Sequence, residues 1–108
     1  HRSAEHEVFA DVTARLGSAA ERPADFPRLA AAIHDNRRLW TRLAADVADG
    51  GNGLPDRLRA QLFYLAEFTD HHSRLVLRGE ASADVLVDIN TAVMRGLRGT
   101  AHAVEGAR

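Results

Sequence analysis

The 108-residue chain contains no cysteine, which excludes a disulfide frame and thiolate chemistry and leaves every redox compartment open. Lysine is absent as well. All 14 basic residues are arginine, set against 15 acids, for a formal net charge of −1. So balanced a chain has no broad basic field to draw in nucleic acid or anionic lipid. The arginine bias, with abundant alanine, most simply reflects GC-rich coding, and no function is drawn from it. Apolar runs are short: stretches such as Leu29 to Ile33 fall far below the roughly 20 residues of a membrane span, or the core of a signal peptide. No membrane association is expected, and a soluble, cytoplasmic domain is. No stretch alternates apolar and polar residues long enough to suggest a strand, and no segment repeats. The glycine-rich turn from Asp49 to Gly53 carries no Lys, Ser or Thr to hold phosphate or Mg²⁺, so it is no phosphate cradle.

What is present reads as one ordinary globular domain over residues 1–108, with a core over about 5–97. At 45% hydrophobic and 27% charged residues it is not a disordered chain. A domain of this length removes roughly two-thirds of its unfolded surface from water. The apolar spacing predicts an all-α fold, a small bundle of about four antiparallel helices near 4–20, 27–48, 55–78 and 83–97. Val8, Phe9, Val12, Leu16 and Ala19 share one side at the 3.6-residue period. Pro23 and Pro27 separate this helix from a second, whose face holds Leu29, Ile33, Trp40, Leu43 and Val47. Asp49 to Gly53 breaks the chain, and Pro55 suits the first position of the third helix. Leu58, Leu62, Leu65, Phe68, Leu75 and Val76 form the third stripe, which Gly79 stops. Ser82 fits the N-cap of a fourth helix carrying Leu86, Ile89, Val93 and Leu97. Short connections favour antiparallel neighbours. Trp40 is expected in the core, with its N–H seeking one partner.

Three polar residues, Asn36, His72 and Asn90, interrupt these stripes. Either they form a buried hydrogen-bond network that fixes helix register, or they line a groove awaiting a polar group on a partner helix. The network is the expected reading, because a buried amide or imidazole left unpaired costs about 1–3 kcal/mol. Glu67 and His71 have ligand-like spacing, but His72 points about 100° away from His71, and His34, His1 and His102 are isolated, so no metal site is expected. Acids are not paired for acid–base work, and Ser73 beside His72 diverges from it on a helix. Neither catalytic residues nor cofactors are expected. Arg37, Arg38 and Arg42 are flanked by Asp35 and Asp46, which reads as a solvated face with intrahelical ion pairs; direct nucleic-acid binding is not expected from it.

The blocks Asn36-Arg37-Arg38-Leu39-Trp40 with Leu43 to Asp46, Gly51 to Pro55 with Leu58-Arg59-Ala60, and Asp88-Ile89-Asn90 with Val93 to Leu97 occur in an order and spacing that resemble the flagellar biosynthesis regulator FlaF family. Glu5 to Leu16 looks like that family's first helix, so the likeness covers roughly Glu5 to Leu97. A further leading segment is expected before His1, and the tail after Arg98 has no counterpart in the pattern. FlaF proteins are small all-helical proteins of alphaproteobacteria that promote the synthesis and export of flagellin. The resemblance therefore implies a non-enzymatic cytoplasmic chaperone and regulator that binds the terminal amphipathic segments of flagellin. The alternatives are post-transcriptional control of flagellin messenger RNA together with a second regulator, FlbT, and a generic helical protein-interaction module. A bundle with an exposed apolar edge can hold an amphipathic segment as a helix in a groove. Candidate contact residues are Leu39, Phe63 and Leu77, which lie off their main stripes, with Arg37 and Arg38 beside them.

Overall fold

The computed structural model describes the backbone over residues 2–49 and 53–106 and the side chains over 6–49 and 53–96. Its elements are α1 (Arg2–Ala20), α2 (Phe26–Ala48), α3 (Asp56–Leu77) and α4 (Asp84–Gly106), with no strand among the described residues. Gly50, Gly51 and Asn52 of the expected break lie outside them, as do His1 and the side chains of Leu97 and His102. The helices form an all-α bundle in which α1 packs on α2 and α4, and α3 on α2 and α4, closing a four-membered ring whose thinnest seam is α3 against α4.

Local chemistry sets each boundary. Asp25 accepts from the Arg28 backbone N–H at 3.4 Å, and Pro27 occupies the first turn of α2, where its missing N–H is harmless. At the far end of α2, the Arg59 guanidinium reaches over from α3 and donates to the Val47 carbonyl at 3.1 Å. That carbonyl belongs to the last turn, where no intrahelical donor remains. Pro55 stands one position earlier than its spacing suggested: it caps α3, and Asp56 is the first helical residue. Gly79, at φ +75°, ends α3. Its N–H donates to the Val76 carbonyl at 3.0 Å, and the Glu80 N–H donates to that of Leu75 at 2.9 Å, the paired bonds of a Schellman motif. Ser82 then accepts from the Asp84 N–H at 3.1 Å and starts α4.

Two further expectations need correction. The fourth helix does not stop near 97 but runs to Gly106. Isolated glycines such as Gly96 and Gly99 cost about 1 kcal/mol each without ending a helix, and no proline follows them. Val8 is 46% exposed, because Phe9, one residue and about 100° further round, takes the inward position.

The core has three levels. Leu16, Leu29, Ile33, Val76 and Leu86 fill one end. Phe9, Trp40, Val47, Leu62 and Val93 fill the other, with Phe9 edge-on to Trp40 at 6.0 Å between ring centroids. Between them every helix contributes buried polar side chains: Thr13, Asn36, Thr69 with Ser73, and Asn90.

The positive φ of Gly79 gives a direct test. A Cβ there would meet no neighbouring atom, so Gly79→Ala isolates the backbone strain of a left-handed residue. We expect it to cost about 1–2 kcal/mol, read as a lower urea midpoint with an unchanged slope.

Candidate functional site

The polar layer is organised around Asn90, which is fully buried. Its Oδ1 accepts from the indole N–H of Trp40 at 2.8 Å. Its Nδ2 donates to Asn36 Oδ1 at 2.7 Å and to Thr13 Oγ1 at 3.1 Å. Thr13 in turn donates to the Phe9 carbonyl at 2.7 Å. The indole N–H can only donate, so it fixes which end of the Asn90 amide faces Trp40. The amino group must then face Asn36, which is obliged to present its oxygen. The consequence is that Asn36 Nδ2 has no partner among the described residues; separately, Thr69 Oγ1 on α3 has none among them either. Three of the four hydrogen-bonding capacities of the Asn90 amide are thus engaged inside the bundle.

The structure thus brings Asn36 and Asn90 together and places His72 elsewhere. His72 is only half-buried. Its Nε2–H donates to the Ser82 carbonyl at 2.8 Å, and its ring stacks on Phe68 at 5.6 Å. The inward position of that turn belongs to Ser73, whose hydroxyl donates to the Thr69 carbonyl at 2.7 Å. His72 therefore ties α3 to the connection before α4, while Trp40 and Thr13 complete the layer.

The candidate contact residues also separate. Leu39 packs against the Trp40 end of the core and Leu77 against the Leu16 end, so neither is a free edge. Both flank their helix's inward face closely enough for neighbouring helices to cover them. Phe63 is 37% exposed and lines a hollow between α2 and α3 together with Arg37, Ala44 and Ala66. Arg37 is committed to Asp70 on α3, donating through Nε at 3.0 Å and Nη2 at 2.7 Å. Arg74 donates to the other oxygen of Asp70 at 2.7 Å. Hydrogen bonding from Arg37 is the main reason the Asp70 carboxyl titrates below its usual range, with the charges of Arg37 and Arg74 adding to it. Arg38 is exposed on the outer side of α2. Sequence reasoning missed Tyr64 and Val85, which are also exposed apolar residues. Tyr64 stands beside Phe63 in the same apolar run, and that adjacency was the available signal.

Among the described residues, no group of three or more His, Asp or Glu side chains could hold a metal ion. Among the described residues no helix is long and apolar enough to cross a membrane.

Fold and site together define a small helical bundle whose polar chemistry is turned inward and whose outward features are charged and aromatic side chains on α2 and α3. The family model described as "Flagellar protein FlaF" matches residues 1–97, and the chain belongs to that family. Comparisons with curated proteins and with solved structures gave no match.

Two substitutions test the layer from opposite sides. Asn90→Leu strands the Trp40 N–H and the Asn36 side-chain oxygen, while the Thr13 hydroxyl keeps its bond to the Phe9 carbonyl, and should cost about 2–4 kcal/mol in urea unfolding. A wild-type midpoint would mean these groups are not bonded as described. Thr69→Val removes a buried hydroxyl oxygen without a partner at nearly constant shape. Its stability should stay level or rise by up to about 1 kcal/mol, and a loss beyond that would show that the hydroxyl is engaged.

Proposed function

We propose that this chain is a non-enzymatic, cytoplasmic regulator of flagellum biogenesis that binds the terminal amphipathic segments of flagellin and promotes flagellin synthesis and export. Membership of the FlaF family carries this reading. The physics of the bundle supports it. Amphipathic segments that are disordered before assembly must be kept from associating early, and a preformed helical surface can hold one in a groove. Phe63, Tyr64 and Val85 place apolar surface outside the core, whereas Asn90, Asn36, Trp40 and Thr13 bond to one another within it. FlbT is the second partner in this proposal.

Retention of flagellin from a cell extract by the tagged chain, with and without RNase, tests the reading. Flagellin should be retained in both arms, with FlbT accompanying it. Absence of flagellin from both would refute direct binding. Retention only in the untreated arm would favour control through flagellin messenger RNA.

A further inference from the structure

Two hollows adjoin on the α2–α3 side of the bundle and share Arg37, Thr41 and Asp70. The inner one is walled by Ala44, Ala66 and Phe63, with Trp40 at its floor. The outer one is bordered by His34, Arg38 and Arg42, spaced four residues apart and so stacked along one face of α2. All three are exposed. Arg37 and Arg74 share the single carboxylate of Asp70, but Arg38 and Arg42 make no ion pair or hydrogen bond among the described residues. Across the hollow on α3, Glu67 is exposed and likewise forms no ion pair. The result is an apolar floor with a cationic border on α2 and an acidic residue on α3. Such a surface is polarised across its width.

We infer that this α2–α3 face is the docking surface for the partner segment, and that its occupant is an amphipathic helix with carboxylates along the flank that lies over α2. The identity of the segment as part of flagellin rests on the function proposed above. Apolar side chains of the incoming helix cover Phe63, Ala44 and Ala66. Its carboxylates meet Arg38 and Arg42, whose guanidinium forks suit paired oxygens. Glu67 repels the same flank and so opposes the reversed placement. Charge selects the orientation and apolar burial supplies adhesion.

The full chain can be titrated calorimetrically with two synthetic helical peptides that share one apolar stripe, one carrying glutamates on its flank and the other lysines, and with a C-terminal peptide of flagellin. The glutamate peptide should bind at least about tenfold tighter than the lysine peptide, with the gap narrowing at high salt. The double variant Arg38→Glu with Arg42→Glu should reverse that preference, and Phe63→Ala should weaken both peptides by about tenfold. These side chains are exposed, so unchanged thermal midpoints will certify the fold of each variant. Equal binding of the glutamate peptide to wild type and double variant, or no binding to either, would overturn the inference. If the glutamate peptide behaves as expected and the flagellin peptide does not bind, the surface stands and the flagellin reading falls. If the flagellin peptide binds with no response to any of these variants, the flagellin reading stands and this face is wrong. An oligoribonucleotide that displaces the glutamate peptide and needs the same arginines would assign the face to phosphate backbone and overturn the peptide assignment.

Discussion

An indole N–H cannot accept a hydrogen bond, and the internal arrangement of this bundle follows from that one limitation. With Trp40 donating to Asn90 at 2.8 Å, the Asn90 amide has a single permitted orientation, and its two N–H groups are aimed at α1 and α2. Rotating or sliding any of α1, α2 and α4 against the others would bury at least one of these groups unpaired. That penalty is a sizeable share of the stability of a domain this small. Apolar contacts at either end of the core tolerate small shifts in register. The polar layer between them does not, and so it selects one packing from several that the apolar faces would accept.

Helix α3 stands outside this arrangement. Among the described residues no side-chain hydrogen bond joins it to Asn90, and its own contribution to the layer, Thr69, has a hydroxyl oxygen with no partner. It is held instead by apolar packing, by Arg37 on Asp70, by Arg59 on the Val47 carbonyl and by His72 on the Ser82 carbonyl. Those polar ties lie at or near the surface, where water competes and each is worth less. The helix that supplies Phe63 and Glu67 to the outer face is thus the one least constrained by the interior. The binding proposed for that face would draw on residues other than those that hold the fold, so substitutions at Arg38, Arg42 or Phe63 should leave stability unchanged.

Much of the fold was legible from the chain alone because prolines, glycines and the 3.6-residue period act locally. Pro23, Pro27, Pro55 and Gly79 mark boundaries through their own backbone requirements, independent of tertiary context. Asn36 and Asn90 were visible as breaks in apolar stripes. Thr13 and Thr69 were not, because a helical threonine resembles valine in shape, and Thr13 satisfies its hydroxyl within its own helix on the Phe9 carbonyl. His72 was misplaced for a related reason. A helical projection cannot say which of two adjacent residues turns fully inward, and Ser73 does so. Leu39 and Leu77 sit where a projection shows an edge, yet neighbouring helices reach far enough to cover them. In each case the missing information is the rotation of one helix about its axis relative to the next, which no single stripe contains.

Hydrogen exchange at the Trp40 indole N–H tests the central role of the Asn90 layer most directly. If that bond fixes the packing of α1, α2 and α4, the indole proton should exchange only through global unfolding, and its protection should fall with urea in parallel with the most protected backbone amides of those helices. Exchange through a local opening, independent of urea and much faster than those amides, would contradict the account.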